Sequence, residues 1–278
     1  MALAATDRLT IGFLAALALV TVLRAAEPLP LLLGLAAIAG GVTVVAAVRD
    51  RSRALAVTHD FLPIVTIVAI FELLGQIIPQ VNPHLWDATF AALDARLFGD
   101  LFQRWFALLD RPRWLVDMAS LAYVVYYPLP LVVAVALYRR YRPVVFQRYV
   151  LTIVAAFYAS YAGYLLFPTL GPRSDDPELL GGGALSEAVR TFVRLAEGNP
   201  LDAFPSGHTA VSLVCLGFAW SYVPRWRLAL VAVVTGIVFA TVYLSYHYVI
   251  DVVAGALLAA TLLVLLPPAG GRETRRRR

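Results

Sequence analysis

Phe204-Pro205-Ser206-Gly207-His208-Thr209-Ala210 stands between a polar loop and a long apolar run. Proline favours the first turn of a helix. The segment therefore predicts a helix that starts here, with the backbone N–H groups of Ser206, Gly207 and His208 unpaired. Such donors, at the positive end of a helix dipole, form a seat for a phosphate oxygen. Gly207 lets a ligand approach the backbone, and His208 puts a titratable imidazole beside that seat.

The apolar run that follows is one of several. The chain has 278 residues, 60% of them hydrophobic, and a mean hydropathy of +0.76. Runs near the ~20 residues that cross a bilayer predict a polytopic, all-α transmembrane bundle rather than a soluble domain. Eight spanning helices are expected, at 10–26, 29–48, 61–79, 114–138, 148–167, 204–223, 228–246 and 247–267. They divide into an N-terminal hairpin at 1–57, a six-helix catalytic membrane domain at 58–268 and a basic tail at 269–278. The first run reads as a retained helix, not a cleaved signal. The net charge of +5 is carried by arginine, since the chain has no lysine, and reads as compositional bias with no nucleic-acid partner. The single Cys215 gives neither a disulfide framework nor a zinc cluster.

Arginines give the orientation. Arg8, the group Arg49, Arg51 and Arg53, the group Arg139, Arg140, Arg142 and Arg148, the pair Arg225 and Arg227, and Arg272 with Arg275 to Arg278 fall on one side of an eight-helix chain. That side is cytoplasmic by the positive-inside rule, as are both termini, in a plasma-membrane protein. The loops at 80–113 and 168–203 are then outside, with the start of the sixth helix.

His247 and Asp251 lie four residues apart, on one helix face. The carboxylate takes an N–H of the ring and raises the basicity of the other nitrogen, as in an activated nucleophile or base. His208 and His247 are 39 positions apart. One helix across and one back, each ~29 Å long, brings both to the outer face. Arg173, just after a helix that ends near Pro168, suits a bidentate grip on phosphate. These parts suit phosphoryl or phosphodiester transfer. His247 attacks phosphorus, Asp251 steadies the ring, and His208 donates a proton to the leaving oxygen. Arg173, Ser206 and Gly207 bind phosphate oxygens. Two histidines and a carboxylate also suit iron or zinc, but Asp251 one turn from His247 orients that ring more naturally than it joins it at an ion. The expectation is no metal and no cofactor.

Pro-Ser-Gly-His followed by His-x-x-x-Asp resembles the type 2 phosphatidic acid phosphatase superfamily, over about residues 61–267. The resemblance implies a six-helix core, with His247 as nucleophile, Asp251 as its support and His208 as acid. The family's K-x-x-x-x-x-x-R-P motif is missing, and Arg142-Pro143 falls on the cytoplasmic side. The Ser-Arg that usually precedes the last histidine is replaced by Ala240 and Thr241. Phe167-Pro168-Thr169-Leu170-Gly171-Pro172-Arg173, and more weakly Leu93 to Gly99, resemble the inositol phosphorylceramide synthase and sphingomyelin synthase branch. That branch implies transfer of a phospho-headgroup from a phospholipid to a lipid or polyol hydroxyl. A lipid phosphate or polyprenyl diphosphate phosphatase is the alternative, and a non-catalytic transporter or structural protein the second.

Glu72, Tyr164, Tyr243 and Tyr246 are candidate substrate contacts. Glu72 and Gln76 share a turn of the third helix, where a carboxyl needs a partner. Trp86, Phe90, Leu93, Leu97, Leu101, Trp105 and Leu108 predict an amphipathic helix, or two broken near Gly99, lying over the outer ends as a lid or as a wall of a lipid gate. Pro128 and Pro130 predict a kink in the fourth helix. The 168–203 segment reads as a long outer loop, with Gly181 to Gly183 a mobile segment or a spacer.

Overall fold

The computed structural model describes residues 3–99, 112–141, 143–172, 181–196 and 198–268. Arg173, Arg142, the loop stretch 100–111, the acidic run after Arg173 and the basic tail lie outside the described residues. Every long regular element that is described is helical: α1 (Ala5–Arg24), α2 (Pro28–Val48), α3 (Arg53–Val81), α4 (Asp87–Phe98), α5 (Arg113–Val124), α6 (Leu129–Arg140), α7 (Pro143–Leu166), α8 (Ala184–Ala196), α9 (Gly207–Tyr222), α10 (Arg227–Tyr243) and α11 (Val249–Leu265).

Five of them, with short adjoining 3-10 turns, are long and apolar enough to cross a membrane: α1, α2, α3, α7 and α10. The α5–α6 pair forms a sixth apolar rod bent by 44°, because Pro128 and Pro130 remove backbone donors from the expected fourth helix. The remaining two expected spans contain α9, of 16 residues, and α11, of 17. At about 1.5 Å per residue these helices are shorter than a ~30 Å hydrocarbon layer. The turns that precede them hold the polar motifs. Side chains such as Leu19, Leu23, Leu33, Val65, Leu228 and Val264 stand exposed on the outside of the bundle, which suits lipid rather than water.

The N-terminal pair packs on the core. Phe13 stacks on Tyr158 at 4.6 Å, Thr10 meets the Tyr158 hydroxyl at 3.1 Å, and Gly34 lets Leu73 approach. His59, for which the sequence suggests no partner, sits 3.0 Å from Asp7, joining α3 to α1. A second core fills the space among α6, α7, α9, α10 and α11, around Val133, Leu137, Val214 and Phe218.

The bundle has two distinct ends. At one, Arg148 Nε donates to the Pro267 carbonyl at 3.1 Å, Arg227 Nε to Trp220 at 2.8 Å, and the Tyr141 hydroxyl to Tyr222. At the other, the Trp86 N–H donates to Pro168 at 2.9 Å, Ala203 to Thr169 at 3.1 Å and Ser206 to Asp251 at 3.0 Å. Arg148 and Arg227 lie at the first end and both histidine motifs at the second.

Two helices lie at the motif end. α4 is the first half of the expected amphipathic helix, and it is pinned by two carboxylates. Asp87 accepts the N–H groups of Leu170 and Gly171, at 3.1 and 2.9 Å. Asp94, nearly buried, accepts the Ile250 N–H at 2.8 Å and so covers an open donor at the start of α11. α8 lies within the 168–203 segment, where the sequence reading has a long loop and no helix. Its signal is in the sequence: Val189 and Val193 are buried on one face, while Glu187, Arg190 and Arg194 pair on the other. Arg190 beside Glu187 holds that carboxyl below the usual carboxylate range. Asp117 of α5 accepts the Gly183 and Ser186 N–H groups at 3.0 and 2.9 Å, which caps α8 from a neighbouring helix.

Replacing Asp94 with alanine leaves the Ile250 donor without its acceptor. The expected cost is about 1 kcal/mol, typical of a lost cap, read as a lower Tm in nanodiscs. Asp94→Asn, which keeps an acceptor oxygen, is expected to lose less.

Candidate active site

The sequence places Pro205 in the first turn of a helix; the structure starts that helix two residues later. Ser206 is the N-cap, and its hydroxyl accepts the Thr209 N–H at 3.2 Å and the Thr209 hydroxyl at 3.1 Å. Pro205 precedes the cap, in a cis peptide bond. The Ser206 N–H therefore lies outside the helix and is not an open donor, as it was expected to be. It donates to the Asp251 carbonyl at 3.0 Å. Gly207 opens the helix, with the Tyr164 hydroxyl 2.5 Å from the position a Cβ would take. A side chain there would displace Tyr164.

The second motif also differs from expectation. His247 is not on a helix. It ends a tight turn after α10, in which the Tyr246 and His247 N–H groups both donate to the Thr241 carbonyl at 3.0 Å. Ser245 takes a left-handed φ of 63° in that turn. Tyr248 caps α11, and Asp251 stands at the third helical position. Its Oδ2 accepts the Tyr248 N–H at 2.8 Å and lies 3.4 Å from His247 Nδ1. The pairing thus arises from a helix start, where an acidic side chain reaches back to the entering chain, and not from two residues along one helix. A 3.4 Å separation is loose for a hydrogen bond, as such pairs often are before substrate tightens them.

The two histidine rings face each other, with centroids 5.7 Å apart and planes at 64°. His208, His247 and Asp251 are 6%, 2% and 0% exposed, so the set is nearly closed to bulk water. Their meeting depends on Gly255. A Cβ there would stand 2.4 Å from the Ser206 carbonyl oxygen, so only glycine lets α11 approach the start of α9 this closely. Gly171, at a φ of +81°, likewise admits the Tyr246 carbonyl, 2.3 Å from where its Cβ would be.

Tyrosines around His208 were not singled out from sequence. The Tyr126 ring lies 4.1 Å from the His208 ring, the Tyr123 ring 4.5 Å and the Tyr127 ring 6.4 Å. The helix break before Pro128 presents them, and the Tyr-Tyr-Pro run inside an apolar helix is the signal for it. Tyr246 stacks on Tyr123 at 4.5 Å, a step removed from the histidines. Tyr243 is buried against Phe239 in the core formed with α5 and α8. Glu72 reaches the loop before α9: its carboxylate faces the Gly198 N–H at 3.4 Å. Glu72, Tyr164 and His208 line a common cavity of about 550 Å³. Among the described residues, no three His, Cys, Asp or Glu side chains converge as a metal site.

The family model described as the PAP2 superfamily matches residues 88–265, well over half of the chain. The chain belongs to the PAP2 superfamily. Neither a curated protein nor a solved structure is similar enough to be matched. The matched region starts at the second residue of α4 and runs to the end of α11, so it contains both histidine motifs together with Asp94 and Asp117, while Asp87 lies just before it. PAP2 membership and the apolar helices support an integral membrane protein with a phosphatase- or phosphotransferase-type activity on lipid phosphate.

Gly255→Val is expected to destabilise the protein by about 1–3 kcal/mol, the usual cost of forcing atoms into a filled contact. Gly40→Ala, where a Cβ meets nothing within 4 Å, is expected to leave the Tm unchanged or slightly raised. Thermal unfolding of the two variants in the same nanodiscs makes the comparison.

Proposed function

We propose that the protein is a lipid phosphotransferase that moves a phospho-headgroup from a phospholipid to a hydroxyl acceptor through a phosphohistidine at His247, in the manner of the inositol phosphorylceramide synthase and sphingomyelin synthase branch. The observation that carries this reading is the buried His208–His247–Asp251 set. A covalent phosphohistidine survives long enough to meet an acceptor only where water is scarce, and these side chains are at most 6% exposed.

In the first half-reaction neutral His247 attacks phosphorus through Nε2. The bond to the lipid alkoxide breaks, and His208 gives that oxygen its proton. Asp251, against Nδ1, holds the ring and offsets the positive charge that develops. In the second half-reaction His208 takes the proton of the acceptor hydroxyl, whose oxygen attacks phosphorus and releases His247. The Gly207 end of α9 and Arg173 bind the equatorial oxygens. A phosphodiester carries less charge than a monoester, which suits a chain with no lysine and with Ala240 and Thr241 in place of Ser-Arg.

The same reading takes all eight expected helices as spans, with the arginine end cytoplasmic and the histidine end outside. The N-terminal hairpin, ending near residue 57, serves as a scaffold for α3 and α7, the catalytic helices extend to 268, and the basic tail touches the inner leaflet.

The test is acid-labile labelling of the protein by a phospholipid radiolabelled in its phosphodiester. Wild type is expected to take up label and His247→Ala none. His208→Ala is expected to lower turnover ~10²–10⁴-fold, the range for loss of a general acid. Inorganic phosphate released from phosphatidic acid, with no transfer to any hydroxyl, would make the protein a hydrolase and overturn the transferase reading.

A further inference from the structure

The proposed chemistry asks opposite things of the two facing histidines. His247 must be neutral to attack phosphorus, while His208 must carry the proton that the leaving oxygen takes. With centroids 5.7 Å apart, the rings compete for one positive charge, since like charges this close disfavour each other. The Asp251 carboxylate lies 3.4 Å from His247 Nδ1. By itself it would draw the proton to the nucleophile, which is the wrong ring.

The surroundings of His208 differ in kind. Its ring lies 4.1 Å from that of Tyr126, with planes at 41°, and 4.5 Å from that of Tyr123, with planes at 31°. Both angles are nearer to stacking than to an edge contact, so the electron-rich faces of the tyrosines are turned toward the imidazole. Tyr127 is farther off and nearly perpendicular, at 6.4 Å and 85°. Tyr123, Tyr126 and His208 are 1%, 8% and 6% exposed. The contact is therefore desolvated, which is where a cation against an aromatic face gains most.

The break in the fourth helix creates this arrangement. The Tyr126 N–H donates to the Tyr123 carbonyl at 3.1 Å, and the Leu129 N–H to the Tyr126 carbonyl at 3.2 Å. That three-residue spacing is the spacing of a 3-10 turn, in which side chains at i and i+3 eclipse. Tyr123 and Tyr126 thus fall on one side of the turn, toward His208. Pro128 has no N–H to carry an α-helical ladder onward. The cavity that His208 lines is an apolar groove walled by α3, α6 and α7, with Glu72, Asp202, Tyr161 and Tyr164 among its polar groups. Such groups meet an imidazole at its edge, where the N–H groups are. A tyrosine acting on the face leaves the edge open for proton transfer.

We infer that Tyr123 and Tyr126 are positioning residues for the acid: their ring faces hold the His208 imidazolium in place and keep the transferable proton on that ring rather than on His247. The inference rests on the phosphohistidine reading above, and not on whether a lipid hydroxyl or water accepts in the second step. No bond changes beyond those already described. As the phosphorus–oxygen bond of the donor breaks, the proton passes from His208 to the departing oxygen, and the tyrosines are unaltered.

The leaving group provides the test. A lipid alkoxide needs the His208 proton as it departs, and a nitrophenolate does not. Formation of the phosphoenzyme is timed in a single turnover, with the full-length protein in nanodiscs, for four donors. These are phosphatidylglycerol, phosphatidic acid, and the matching esters in which a long-chain acyl nitrophenol replaces the diacylglycerol. Tyr126→Leu is expected to slow labelling from the diacylglycerol esters at least about tenfold, and from the nitrophenyl esters less than about threefold. Tyr126→Phe, which keeps the ring, is expected to retain most of the wild-type rate with both. In a His208→Ala background Tyr126→Leu is expected to add little further loss, because the ring acts through the acid. Tyr123→Leu repeats the comparison should Tyr126→Leu fail to fold, and the nitrophenyl rate itself reports an intact site. Equal slowing with both leaving groups, or a Phe variant as slow as the Leu variant, would overturn the assignment. No label on the wild type from any of the four donors sinks the phosphohistidine reading itself, whereas normal labelling that ignores the tyrosines sinks only their role.

Discussion

One residue holds the site together. Asp251 gives its carbonyl to the Ser206 N–H at 3.0 Å and its carboxylate to the Tyr248 N–H at 2.8 Å, with His247 Nδ1 3.4 Å away. It therefore joins the starts of α9 and α11 and faces one histidine ring at once. The residue is 0% exposed; its Oδ2 is met by the Tyr248 N–H, while its Oδ1 is buried without a hydrogen-bond partner among the described residues. Four residues further on, Gly255 lets the Ser206 carbonyl approach the α11 backbone. A side chain there would push the two helix starts, and with them the two histidines, apart.

A second layer of carboxylates supports the first. Asp87 and Asp94 of α4 take backbone donors from the end of α7's exit loop and from the start of α11. Asp117 of α5 does the same for α8. Helix starts that meet away from water expose N–H groups they cannot pair internally, and acidic side chains on neighbouring helices answer that need. Asp87, Asp94 and Asp117 are here the acceptors that fix the backbone near the histidines and at the start of α8.

The architecture also separates two tasks. His247 and Asp251 lie behind the site, enclosed by turns and helix starts. His208 lies between them and an apolar groove, under Tyr123, Tyr126 and Tyr127. The groove exists because α5 and α6 are bent by 44° at the prolines, which turns α6 against α7 while α5 continues toward α8 and α10. A straight fourth helix would not set the tyrosines over His208 in this way.

Much was legible in the sequence. Apolar runs fixed the positions of the helices, because a chain in hydrocarbon must satisfy its backbone within each segment. The spacing of the two histidine motifs placed them at one end of the bundle. Pro128 announced the bend. The sequence did not show that Ser206 is a cap with a paired N–H, that His247 sits in a turn rather than on a helix, or that α8 is ordered by Asp117. The first and the last depend on contacts between residues far apart in the chain, Ser206 with Asp251 and Gly183 with Asp117, while the His247 turn closes on the Thr241 carbonyl a few residues back. Local pattern reports what a segment prefers by itself. Which donors remain open, and which side chain reaches them, is decided only when helices pack, because burial removes the water that would otherwise pair them.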